Sequence, residues 1–179
     1  MRLLIHLAWP GLPNYRNFFH IGKNLPANLA FMEAAVAAGV PQLVVAGTCL
    51  ENGMQCGPLT ENTETRPHTP YGFAKDTLRR CLQSLQPERP FTLQWMRLFY
   101  MHGRGQNPNS LLAHLDRAID HGDSVFNMSA GDQLRDHLAI EDVADNFALV
   151  HYPYPDYEPM AFRGIPEKLN QLRGGQTPR

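Results

Sequence analysis

The chain predicts an α/β fold on a parallel sheet, and three observations carry that prediction. Two apolar runs, Leu3 to Ala8 and "QLVVAGT" (42–48), flank a helical pattern from Pro26 to Ala38, in the order strand, helix, strand. A third apolar run, "FTLQWMRLF" (91–99), follows a second helical pattern from about Pro70 to Leu85. The 179 residues, 43% hydrophobic and 18% charged, are enough for one globular domain with its own core.

Each element has a local reason. Leu3 to Ala8, closed by "WPGLP", suits a strand buried on both faces. In the first helix Leu29, Met32 and Val36 share a face, and Gly39 followed by Val40-Pro41 supplies the stop. Residues 51 to 68 form a polar loop rich in Gly, Pro, Thr and Glu, long for a structureless connection. Thr69 is a good N-cap for the helix that follows, and Pro70 fits its first position. After the third strand comes a turn, "MHGRGQNPN". Ser110 to His121 reads as amphipathic, with Leu111, Leu115, Ala118 and Ile119 inward and Gly122 at its end. Residues 124–139 read as short extended segments around "SAGDQ", and 140–152 as a last helix. Residues 153–179, rich in Pro and Gly, are expected to form a tail or loose cover.

Composition excludes several classes of function. A net charge of −1 without aromatic-basic interleaving gives no footprint for a nucleic acid or an anionic membrane surface. No apolar run approaches the roughly 20 residues that span a bilayer, and the opening segment reads as a strand, not a signal peptide. Cys49, Cys56 and Cys81 are odd in number and share no metal-ligand spacing with the histidines. No metal site is predicted, and a reducing, cytoplasmic setting follows.

The chemistry centres on "TPYGFAK" (69–75). Tyr71 and Lys75 stand at i and i+4 and project from one helix face, an ammonium beside a phenol. A phenol titrates near 10, so acting as a base at neutral pH needs a shift of about three units, or roughly 4 kcal/mol. A neighbouring cation supplies part of that. On spacing alone, a packed Tyr71 with a solvated Lys75 is the plainer reading.

The surroundings of the pair add more. "VVAGTCLENG" ends a strand in a hydroxyl residue, Thr48, about two dozen residues before Tyr71. With "YGFAK", "MRLFYMHGRGQ" (96–106), "GDQLRDHLAIEDVADN" (131–146) and the Asn28 helix "NLPANLAFMEAAVAAGV" (24–40), it resembles the extended short-chain dehydrogenase/reductases, the NAD-dependent epimerase/dehydratase family. The resemblance spans roughly residues 3 to 150. It implies a partial Rossmann-like parallel sheet with helices on both faces, plus a small substrate-binding region. Residues 1–100 would be the C-terminal part of the dinucleotide-binding domain, 101–152 the substrate-binding region mixed with the last Rossmann helix, and 153–179 an irregular tail.

The resemblance also implies roles. Tyr71, Lys75 and Thr48 would be the catalytic set: Tyr71 exchanges a proton with a sugar hydroxyl or ketone, Lys75 bonds the nicotinamide ribose and lowers the Tyr71 pKa, and Thr48 holds the reacting oxygen. Ala8 and Trp9 would join Lys75 and Tyr71 in contacting the cofactor, NAD or NADP. Thr48, Tyr100, Ser110 and Arg135 would contact a nucleotide-sugar, with Arg135 on its diphosphate or in an ion pair with Asp132 or Asp136. A homodimer is a possible assembly.

The pattern also departs from the family. No Gly-x-x-Gly-x-x-Gly turn occurs, and the first strand aligns with the family's fourth, so the expected sheet lacks three strand-helix units. Asn52 replaces a Tyr. Cys49 and Leu50 stand where sugar dehydratases carry an acid and a base, which favours an epimerase or 4-ketoreductase. The alternative is a non-catalytic module of the same fold that no longer holds NAD(P).

Overall fold

The structure, a computed structural model, describes residues 3–129 and 135–149. In chain order these form β1 (Leu4–His6), a π-helical turn (His20–Asn24), α1 (Leu25–Ala37), β2 (Gln42–Thr48) and a 3₁₀ turn (Cys49–Glu51). They continue with α2 (Pro70–Leu85), β3 (Thr92–Leu98), β4 (Tyr100–His102), α3 (Leu111–His121), β5 (His137–Ala139) and α4 (Ile140–Leu149).

The sheet runs β1-β2-β3, all parallel, with Leu4 opposite Leu43 and Val45 opposite Trp95. Every residue of β2 is buried, and its alternation sorts the core into two layers. Leu43 and Val45 meet Met32 and Val36 of α1 and Leu78 and Leu82 of α2. Val44 and Ala46 meet Val143 and Phe147 of α4 on the other face. Helices thus cover both faces of a parallel sheet, and each fully buried aliphatic side chain contributes about 1.5–3 kcal/mol. Thr69 caps α2 by accepting from Gly72 N at 3.1 Å. The first turn of α2 therefore lies beside the C-terminal ends of the strands, where open α/β sheets bind ligands.

Three expectations are corrected. β1 is an edge strand, not one buried on both faces: Ile5 is 42% exposed, and only β2 pairs with it among the described residues. The chain after Phe99 does not pass straight into a turn; it stays extended as β4 and pairs in parallel with β5, a second, two-stranded sheet. The helix at 111–121 forms, capped by Ser110 and ended by Gly122 in the left-handed region, but none of its residues is buried. Leu111 and Ile119 are exposed because no core packs against that face among the described residues. The "SAGDQ" segment, in most of its length, and the tail at 153–179 lie outside the described residues. No helix among the described residues is long and apolar enough to cross a membrane.

Candidate active site

Thr48 ends β2 and caps the 3₁₀ turn. Its hydroxyl accepts from Leu50 N at 3.3 Å, while its backbone N–H donates to the Glu51 carboxylate at 2.8 Å. These reciprocal bonds form a capping box. Tyr71 starts the facing helix and is buried, with the Thr48 hydroxyl near enough to act on its phenol. Gly72 permits this approach, because a Cβ there would lie 2.4 Å from the Leu50 carbonyl oxygen. Gly72→Ala should push α2 away from the 3₁₀ turn at a cost of about 1–3 kcal/mol, read as a lowered melting temperature.

Lys75 is not solvated. Only 1% exposed, its Nζ donates to the Ala46 carbonyl at 2.7 Å and sits 4.2 Å from the Trp9 ring centroid. Trp9 Nε1 donates to His20 Nδ1 at 3.0 Å, and His20 Nε2 donates to the Asn14 carbonyl at 3.0 Å. Those two bonds fix the His20 tautomer and seat the indole beneath the ammonium. The rings of Trp9, Tyr15 and His20 surround Tyr71 at centroid distances of 5.9, 5.6 and 5.2 Å. Asn24 ties this loop to the helix by donating to the Pro10 carbonyl at 2.9 Å, and Asn28 donates to the Asn24 carbonyl at 2.7 Å.

Burial dominates the electrostatics. It pushes the Tyr71 phenol well above its ordinary value, and the hydrogen bond from Thr48 pulls the other way. Burial lowers Lys75 to about 8, opposed by the charge of Glu51. At neutral pH Tyr71 therefore holds its proton and Lys75 is largely charged. The net shift of Tyr71 is upward because desolvation outweighs what lowers it, and the Lys75 ammonium is bonded to a strand carbonyl. An NMR titration of a ¹³C-labelled Lys75 should show a midpoint near 8; a midpoint near the ordinary 10.5 contradicts its burial.

The other predicted site residues are more dispersed. Trp9 is buried against Lys75, whereas Ala8 is exposed. Arg135 lies over the Tyr100 ring at 4.6 Å and hydrogen-bonds its hydroxyl, and its charge also reaches Cys49. Burial raises the Cys49 thiol, away from the thiolate a nucleophile needs. The Ser110 hydroxyl is committed to capping α3, accepting from Ala113 N and donating to Gln106, both at 3.2 Å. Asn52 is fully buried, with neither amide atom partnered among the described residues. A cavity of about 270 Å³ beside Arg79, Arg80 and Arg97 includes none of Thr48, Tyr71 and Lys75 in its lining.

The profile of the NAD dependent epimerase/dehydratase family matches residues 12–156. The chain belongs to that family. It is 33% identical, over 144 residues, to a dTDP-6-deoxy-L-talose 4-dehydrogenase (NAD(+)) of Aggregatibacter actinomycetemcomitans, covering 79% of this chain and 52% of that one. Its fold matches MoeE5 in complex with UDP-glucuronic acid and NAD at a TM-score of 0.73 and 30% identity, over 90% of this chain and 55% of that one. A UDP-glucose 4-epimerase from Thermotoga maritima shares the fold at a TM-score of 0.76 and 20% identity, covering 99% of this chain and 62% of that one. The chain spans about half the length of the curated relatives it matches.

Beside the expected trio, this epimerase/dehydratase chain holds a second buried cluster that the family motifs do not include. Glu51 is fully buried, with its carboxylate 3.0 Å from Arg97 Nε and 3.0 Å from Trp95 Nε1. The sequence signal was present as "TCLE", the spacing of a capping box. Its buried partners on β3, forty-odd residues away, were not visible in it.

Proposed function

We propose that this chain carries the proton-transfer site of an NAD(P)-dependent nucleotide-sugar epimerase or 4-ketoreductase. The observation that carries the reading is the buried Tyr71 phenol at the end of the strand that Thr48 closes, with the buried ammonium of Lys75 on the same helix. The phenol and ammonium fit the nicotinamide-ribose end of the cofactor in donor chemistry, whereas the sequence holds no glycine-rich turn for its diphosphate. When bound there, an oxidised nicotinamide would supply a hydride acceptor for a sugar carbon and a positive charge that would favour the phenolate.

The protein's own residues handle the proton. Thr48 holds the reacting oxygen against Tyr71, Tyr71 accepts the hydroxyl proton or returns it to the ketone, and Lys75 stabilises the phenolate. Arg135 and Tyr100, stacked together, supply a cation and a ring for a nucleotide-sugar diphosphate. Because Cys49 and Leu50 offer no carboxylate after Thr48, oxidation or epimerisation is favoured over dehydration. The similarity to a 4-dehydrogenase points to the sugar C4 hydroxyl.

Thr48→Ala should lower turnover about 10–100-fold in a coupled absorbance assay, because the substrate oxygen loses one of its two anchors. The reading itself is tested by titrating the chain with NADH or NADPH and following energy transfer from tryptophan to the reduced ring. Saturable binding is expected, and its absence into the millimolar range favours the non-catalytic module. Light scattering of the same samples distinguishes monomer from homodimer.

A further inference from the structure

We propose that Glu51 is a positioning residue for the reaction, holding Thr48 against Tyr71 through the backbone of the strand end; the inference rests on the reading above. Both Glu51 oxygens are engaged, while Arg97 Nη1 is buried without a partner among the described residues. Glu51 Oε1 accepts from Thr48 N at 2.8 Å and from Trp95 Nε1 at 3.0 Å, and Oε2 accepts from Trp95 Nε1 and Arg97 Nε, each at 3.0 Å. Glu51 is fully buried and Arg97 is 1% exposed. Gly47 makes room for the cluster, since a Cβ there would lie 2.3 Å from Trp95 Nε1 and 2.7 Å from Glu51 Oε1.

A buried ion pair is a poor source of stability, because desolving two charges cancels most of their attraction. Burial indeed raises the Glu51 carboxyl, with Arg97 opposing it. Such a pair is better explained by what it fixes. Here the carboxylate spans β2 and β3 and fastens the one backbone N–H that sets where the Thr48 side chain leaves the strand. Glu51 touches neither Tyr71 nor Lys75 by any hydrogen bond, so it works through Thr48. Its charge also favours the protonated form of Lys75.

Two double variants separate positioning from folding. Glu51→Gln/Arg97→Met and Glu51→Leu/Arg97→Met both remove the ion pair and carry the same net charge. Only the first keeps an oxygen able to accept from Thr48 N. The ring signal of ¹³C-labelled Tyr71 is compared across both variants, wild type and Thr48→Ala, along with thermal melting and kcat and KM.

The Leu variant should move the Tyr71 signal at least half as far as Thr48→Ala and lower kcat about tenfold or more, with KM changed less than threefold. The Gln variant should rescue most of both effects. Two folded variants with equal Tyr71 signals overturn the inference. So does a Leu variant that fails to fold while the Gln variant folds, because Glu51 is then purely structural. A Tyr71 signal indifferent to Thr48→Ala overturns it together with the Thr48–Tyr71 contact. The proposed function fails separately, if Tyr71→Phe leaves turnover intact.

Discussion

Replacing Tyr71 with Phe should lower turnover about 10³-fold while leaving the fold in place. The ring is packed among Trp9, Tyr15 and His20, and Phe keeps all of that contact. What disappears is one hydroxyl, and with it the phenolic proton that α2 holds near Thr48. General acid-base groups of this kind are worth 10²–10⁴ in rate, whereas one neutral hydrogen bond is worth about 1 kcal/mol of stability. A melting temperature within a few degrees of wild type, combined with lost turnover, is the expected pair of results. Unchanged turnover, measured by absorbance of the nicotinamide, removes Tyr71 from the chemistry.

Lys75→Met should act in opposite directions on activity and stability. Turnover falls about 100-fold, because the cation that offsets a phenolate is gone. Stability at pH 7 rises by as much as about 3 kcal/mol, the cost implied by a lysine held near 8 instead of 10.5. The sign follows from proton linkage. Below pH 8 both folded and unfolded chains carry the proton, and the folded state bears the full cost of burying it. As pH rises above 8 the folded chain releases the proton first, so wild-type stability climbs until the unfolded lysine titrates near 10.5. The Met variant lacks that climb. Denaturant unfolding of both proteins at pH 7 and pH 10 checks the difference, and a variant less stable than wild type at pH 7 contradicts it.

The parts of the fold with a strong period were legible in the sequence. Gln42–Thr48 is a continuous apolar run, and Thr69-Pro70 marks the start of α2 with both cap and first-turn signals. The Tyr71–Lys75 spacing put both side chains on one helix face, and the hydroxyl closing the strand opposite could be named. The burial of Lys75 could not. It depends on Trp9 arriving from the loop after β1 and on a carbonyl at Ala46, contacts set by tertiary packing. The pairing of β4 with β5 was hidden too, because three-residue strands carry almost no periodic signal. In α3 the apolar face was legible while its partner was not, and periodicity alone led to an expectation of burial that the described residues do not provide. The Glu51–Arg97 pair joins a turn after one strand to the C-terminal end of another, a distance that local pattern does not cross.

The most direct measurement follows a hydride and a proton together. The chain is incubated with NAD and a dTDP- or UDP-hexose carrying deuterium at C4, and the nicotinamide product is analysed by mass spectrometry. Deuterium in the reduced cofactor with wild type, and a loss of about 10³-fold in its rate of appearance with Tyr71→Phe, is the predicted result. No deuterium transfer by wild type, or equal transfer by both proteins, contradicts the assignment of Thr48, Tyr71 and Lys75 as the reacting site.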